Sequence, residues 1–105
     1  MQQISAQDLK AQLDNGESPV ILDIREGWEY DICHIDPCIH INMSSLPARL
    51  EELNKDDEII VLCHHGARSM QVASYLESQG FKNISNLEGG IHDWANSIDP
   101  SMEQY

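Results

Sequence analysis

The stretch E-I-I-V-L-C-H-H-G-A-R-S at residues 58–69 sets an unbroken apolar run directly against a polar loop containing a glycine. Glu58 to Leu62 is short and rich in β-branched residues, which predicts a strand buried on both faces. Ser69 to Gln79 carries Val72, Ala73 and Leu76 on one face and has Gly80 behind it, which predicts a helix with its stop signal. Strand, tight loop and helix in that order are half of a βαβ unit and point to a parallel sheet.

The same alternation continues in both directions. Upstream, Val20 to Ile24 is a second apolar run, and Leu46, Leu50 and Leu53 mark one face of a helix entered through Ser44, Ser45 and Pro47. Glu26 to Asp31 predicts one helical turn and Ile39 to Asn42 a brief strand. At the N-terminus, Ser5 to Asp8 has the pattern of a capping box, with Leu9 and Leu13 on the helix that follows and Asn15-Gly16 ending it. Downstream, Ile84 to Leu87 predicts a last strand, Gly89-Gly90 a turn, and Ile91, Trp94 and Ala95 the apolar face of a closing helix. The tail from Asp99 is predicted irregular. The connections are too long for hairpins. With 105 residues, 41% of them hydrophobic, and no repeat or linker, the expectation is one domain over residues 1–105.

Charge and cysteine content narrow the partners. Eighteen acidic against six basic residues give a formal charge of −12, which opposes encounter with phosphate backbones and anionic membranes. Neither nucleic acid nor membrane is an expected partner. The opening MQQISAQDLK lacks the pattern of a secretory signal, and three cysteines make an odd number. A cytoplasmic setting and at least one free thiol are therefore expected.

In open parallel sheets ligands bind beyond the carboxyl ends of the strands, where residues 63–69 would lie. There Cys63 is followed by a tight loop and a helix start. Backbone N–H groups and the helix dipole would stabilise a negative sulfur, and Arg68 adds a fixed positive charge. Gly66 allows the loop to curl with positive φ, and Ser69 can cap the helix or donate to a bound anion. His64 and His65 contribute their backbone amides, with no acid or base role assigned to their rings.

This loop resembles the C-x-x-G-x-R-[ST] active-site loop of rhodanese-like domains, V-I-L-D-I-R-E-G-W-E-Y at 20–30 resembles that family's strand-plus-turn signature, and N-L-E-G-G-I-H-D-W at 86–94 resembles its C-terminal signature. The resemblance implies an α/β domain with a five-stranded, mainly parallel sheet and helices on both faces. It implies Cys63 as the sulfur carrier, amides of His64, His65, Gly66, Ala67, Arg68 and Ser69 around the persulfide, and Arg68 as the residue that meets the donor anion. Sulfur would pass from a small donor such as thiosulfate to a thiol or cyanide, or to a sulfur-accepting protein, with no cofactor and no metal. The six residues from Cys63 through Arg68 match the sulfurtransferase loop, one shorter than that of the related dual-specificity phosphatases. Phosphate or arsenate chemistry in the same cradle, and a non-catalytic protein-binding module, are the alternative readings.

Asp23 and Arg25 match the family's D-x-R motif and read as a strand-end ion pair that supports the loops. Trp94, at helical spacing from Ile91, reads as a core anchor. C-H-I-D-P-C at 33–38 departs from the family's usual G-H-I-P-G-A. Cys33, His34, Cys38 and His40 are metal-ligand types, but their spacing fits no standard zinc pattern, so they read as structural side chains, with a thiol that resolves oxidised Cys63 as the alternative.

Overall fold

A computed structural model describes residues 1–105. Five strands form one wholly parallel sheet in the order β1-β5-β4-β2-β3: β1 Gln2–Ile4, β2 Val20–Asp23, β3 Ile39–His40, β4 Glu58–Leu62 and β5 Asn83–Leu87. Four α-helices connect or follow them: α1 Ala6–Asp14, α2 Gly27–Ile32, α3 Ala67–Ser78 and α4 Gly90–Ser97.

The period of two along each strand divides the core between the faces of the sheet. Ile59 and Val61 of β4 join Leu22, Val72, Ala73, Leu76 and Phe81 on the face covered by α3. Their neighbours Ile60 and Leu62 join Ile21, Leu9, Leu87, Ile91 and Trp94 on the face covered by α1 and α4. Both faces are dry, so β4 has no polar side chain between Ile59 and Leu62. Its polarity begins where the chain leaves the sheet. Trp94 is 7% exposed and lies in the second of these clusters, as a core anchor.

Ser5 caps α1 as the sequence predicts, accepting the Asp8 N–H at 3.0 Å. Three features differ from the sequence reading. Strand β1 has no apolar signature in Gln2-Gln3-Ile4; it exists because its backbone pairs with the edge of β5. Leu46–Glu52 is a 3-10 segment rather than an α-helix, and Arg49 breaks it with φ −122° and ψ 17°. Helix α3 begins at Ala67, two residues before Ser69, so Ser69 lies inside its first turn and Gly66 occupies the cap.

Candidate active site

Strand β4 delivers Cys63 to the carboxyl end of the sheet, and Gly66 then turns the chain into α3 with φ +107°. That left-handed value lets the loop curl back over the sulfur, and the Gly66 N–H donates to Cys63 Sγ at 3.0 Å. The Ser69 hydroxyl lies 3.3 Å from the same sulfur. Helix geometry leaves the first-turn amides of Ala67, Arg68 and Ser69 without intrahelical acceptors, and they make none of the turn, loop or capping bonds in the chain. The thiol is covered, with Cys63 1% exposed, yet one loop amide points at it and three helix donors follow.

The loop's carbonyls are tied away from the sulfur. Cys63 O accepts from Ile91 N at 2.9 Å and His64 O from His92 N at 3.0 Å, so the first turn of α4 grips the loop from outside. Gly90 makes this approach possible: a β-carbon there would lie 2.5 Å from Cys63 O and closer still to His64 O. Gly66 O accepts from Met70 N, and the one Ser69 hydroxyl proton is shared between Gly66 O and the Asn86 side chain. The amide of Asn86, at the end of β5, reaches Gln3 Oε1 at 2.9 Å. With the carbonyls of Cys63, His64 and Gly66 engaged, the loop turns donors toward the sulfur.

Arg68 is not a free cation. Its Nη1 and Nη2 donate to the two oxygens of Glu29 at 2.8 and 2.9 Å, while the Arg68 side chain is 37% exposed and that of Glu29 only 5%. These bonds hold the Glu29 carboxyl down at about 2, against the opposing effect of burial and with help from the Glu26 N–H and the Tyr105 hydroxyl. The Tyr105 hydroxyl donates to Glu29 at 2.8 Å and accepts from Arg25 Nη1 at 3.1 Å. Burial, with the Glu29 bond adding to it and Arg25 opposing, pushes Tyr105 up to about 12.

Asp23 and Arg25 form the ion pair expected at the end of β2, at 2.7 Å and with both side chains essentially inaccessible. Burial opposes the Arg25 charge, and the bonds to Asp23 and Tyr105 more than offset it. Arg25 also donates to Glu29 O at 3.2 Å and Cys33 O at 2.6 Å, so one guanidinium fixes the carboxyl-terminal half of α2 relative to the sheet. Asp23 cancels Arg25 and Glu29 cancels Arg68. Both guanidiniums near the loop are therefore paired, while the Gly66 N–H reaches the Cys63 sulfur directly.

The histidines of the loop are not pendant. His65 is exposed, but His64 is half-buried, stacked 3.9 Å from the Tyr105 ring and tilted against His65 at 4.0 Å, with His92 of α4 beside both. Burial, then the neighbouring His65, pushes the His64 ring below its ordinary value. The Cys33–Cys38 segment stands apart: Tyr30 is stacked between His34 and His40 at 4.0 and 4.4 Å, and His40 Nε2 bonds Arg25 O. All three cysteines are free thiols, and Cys33, His34, Cys38 and His40 do not converge as ligands.

Sequence reasoning missed Glu29, Asn86 and Tyr105. Glu29 and Asn86 lie within the two quoted signatures, and Glu29 also closes a capping box with Glu26 on α2. Nothing in a polar tail marks Tyr105, which reaches the site only by tertiary packing.

Comparison with known proteins gives a consistent picture. The family model described as "Rhodanese-like domain" matches residues 5–97. The chain is 39% identical over 97 residues to the candidate sulfur carrier YrkF of Bacillus subtilis, covering 92% of this chain but only about half (52%) of that protein. It is 37% identical to the candidate sulfurtransferase YtwF of the same organism, over 95% of this chain and 96% of the relative. A rhodanese-like domain protein from Staphylococcus aureus superimposes with a TM-score of 0.85 at 33% identity, covering 90% of this chain and 91% of that one.

Proposed function

We infer the activity from one premise: the chain belongs to the rhodanese-like domain family, whose relatives at this identity are named as sulfurtransferases or a sulfur carrier. On that footing Cys63 carries sulfane sulfur as a persulfide. The thiolate attacks the outer sulfur of thiosulfate, a Cys63 S–S bond forms, and the S–S bond of the donor breaks with its electron pair leaving on sulfite. A second nucleophile, a thiolate or cyanide, then attacks the terminal sulfur and returns the Cys63 thiolate. Charge is conserved in both steps.

The observation that carries this reading is the Gly66 N–H on Cys63 Sγ at 3.0 Å, followed by three uncommitted amides of α3. Negative charge gathers on the terminal sulfur of the persulfide and on the departing group, and preorganised amides stabilise it where it appears. The six-residue loop and the sulfur-transfer names of the relatives favour this chemistry over phosphoryl transfer. The reading places no cofactor in the reaction.

Intact-protein mass spectrometry after incubation with thiosulfate tests it. One added sulfur that dithiothreitol removes, absent from Cys63→Ser, is expected. A sulfur adduct of equal yield on the Ser variant would exclude the mechanism.

A further inference from the structure

We propose that His64, His65 and His92 form a binding site for a borderline divalent metal ion of the Zn2+ and Ni2+ class, bridging the Cys63 loop to α4. One ring nitrogen from each residue lies within 4.8 Å of the other two. Tetrahedral coordination at ordinary zinc–imidazole distances needs nitrogens about 3.4 Å apart, so the rings must close by roughly 1.4 Å. Side-chain rotation supplies this, since His65 is exposed and His64 and His92 are only half-buried.

The backbone already joins the two segments. The His92 N–H already bonds His64 O at 3.0 Å and the Ile91 N–H bonds Cys63 O at 2.9 Å, which locks two ligand-bearing residues onto each other. Stacking on Tyr105 at an interplanar angle of 18° orients His64. The Asn96 amide donates to His92 Nε2 at 3.1 Å, so an ion taken at that nitrogen displaces this exposed bond.

Charge favours occupancy. The nearby Arg68 guanidinium is neutralised by its bidentate pair with Glu29, and the chain as a whole carries a formal −12. An all-imidazole set selects Zn2+, Ni2+ or Cu2+ over Mg2+ and Ca2+, which require oxygen ligands. Three ligands leave an open fourth position for water or a sulfur species. The site is independent of the sulfur-transfer reading, because none of its ligands is the thiol.

The test uses untagged Cys63→Ser protein, so that the reactive sulfur cannot supply a ligand. Calorimetric titration with Zn2+ should give one ion per chain, Mg2+ should give no heat, and Zn2+ should raise the melting temperature. Co2+ in place of Zn2+ should give visible d–d bands stronger than those of the aqua ion. Adding His92→Ala should weaken Zn2+ binding at least tenfold and abolish the Co2+ bands. His65→Ala, an exposed position on the other segment, should do the same and guards against a folding defect in the first variant. No stoichiometric binding to the Cys63→Ser protein, or affinity unchanged in both histidine variants, overturns the proposal.

Discussion

Two segments of this chain contain the same reactive residue types and put them to different use. Cys63 stands before the N-terminus of α3, where a loop amide reaches its sulfur and the first-turn amides follow. Cys33 stands at the carboxyl end of α2, where its own N–H satisfies Glu29 O and its carbonyl takes Arg25 Nη2. The helix dipole has opposite sign at those two ends, so one cysteine is placed to carry negative charge and the other is not. Cys38 fares no better: burial, then the nearby Asp23 charge, pushes its thiol up. Position relative to the backbone, more than composition, separates a candidate nucleophile from a structural thiol.

The comparison breaks most directly at the cysteines. Cys63→Ser should lower sulfur transfer from thiosulfate on the order of a thousandfold or more, whereas Cys33→Ser and Cys38→Ser should stay within about twofold of wild type. Steady-state assays on the three variants decide it. Loss of turnover in Cys33→Ser or Cys38→Ser, with the fold intact by circular dichroism, would mean that the second segment takes part in the reaction.

The next largest effect concerns what joins the two segments. Arg25 is fully buried and holds Glu29 O, Cys33 O and Tyr105 while paired with Asp23. Asp23→Asn keeps the shape but leaves a buried cation short of its counter-charge, a loss of about 3–5 kcal/mol. Urea unfolding should report that range. A loss under about 1 kcal/mol would show that the remaining acceptors suffice.

These differences also explain what the sequence could and could not convey. The apolar run 58–62 followed by Cys63 and Gly66 is local, and it specified strand, loop and helix with small boundary errors. Asp23 and Arg25 are two residues apart on one strand end, so their pairing was legible too. Strand β1 was not, because Gln2-Gln3-Ile4 becomes a strand only against the backbone of β5. The partner of Arg68 lies 39 residues upstream and Tyr105 lies 76 residues beyond Glu29, and no periodicity encodes such contacts. The histidine cluster was hidden for the same reason: His64-His65 and His92 meet only because Gly90 lets α4 approach the loop.

The Arg68–Glu29 pair sharpens the comparison through pH. A carboxyl held at about 2 in the folded chain contributes stability above its ordinary value near 4.5, and that contribution fades as pH falls towards 2. Glu29→Gln should therefore cost about 1–2 kcal/mol at pH 7, less than a fully buried pair because Arg68 can be hydrated. The gap to wild type should narrow steadily between pH 4.5 and pH 2. Unfolding curves at several pH values test both, and a gap that stays constant down to pH 2 would assign the cost to packing instead of charge.

The smallest expected effect is the loss of the Tyr105 hydroxyl alone, which connects Arg25 to Glu29 while the ring supports His64. Tyr105→Phe removes two hydrogen bonds but keeps the stacking surface, so the expected loss is about 1 kcal/mol, with Arg25 and Glu29 each retaining other partners. Tyr105→Ala removes the ring as well and should cost about 1–2 kcal/mol more through lost apolar burial. The difference between these variants measures the ring's contacts together: the His64 stack, the edge of Trp28 and the face beneath Arg25. If Phe and Ala are equally destabilising, the ring contributes nothing through any of these contacts, and the tail is held only by its hydroxyl at the junction of the two segments.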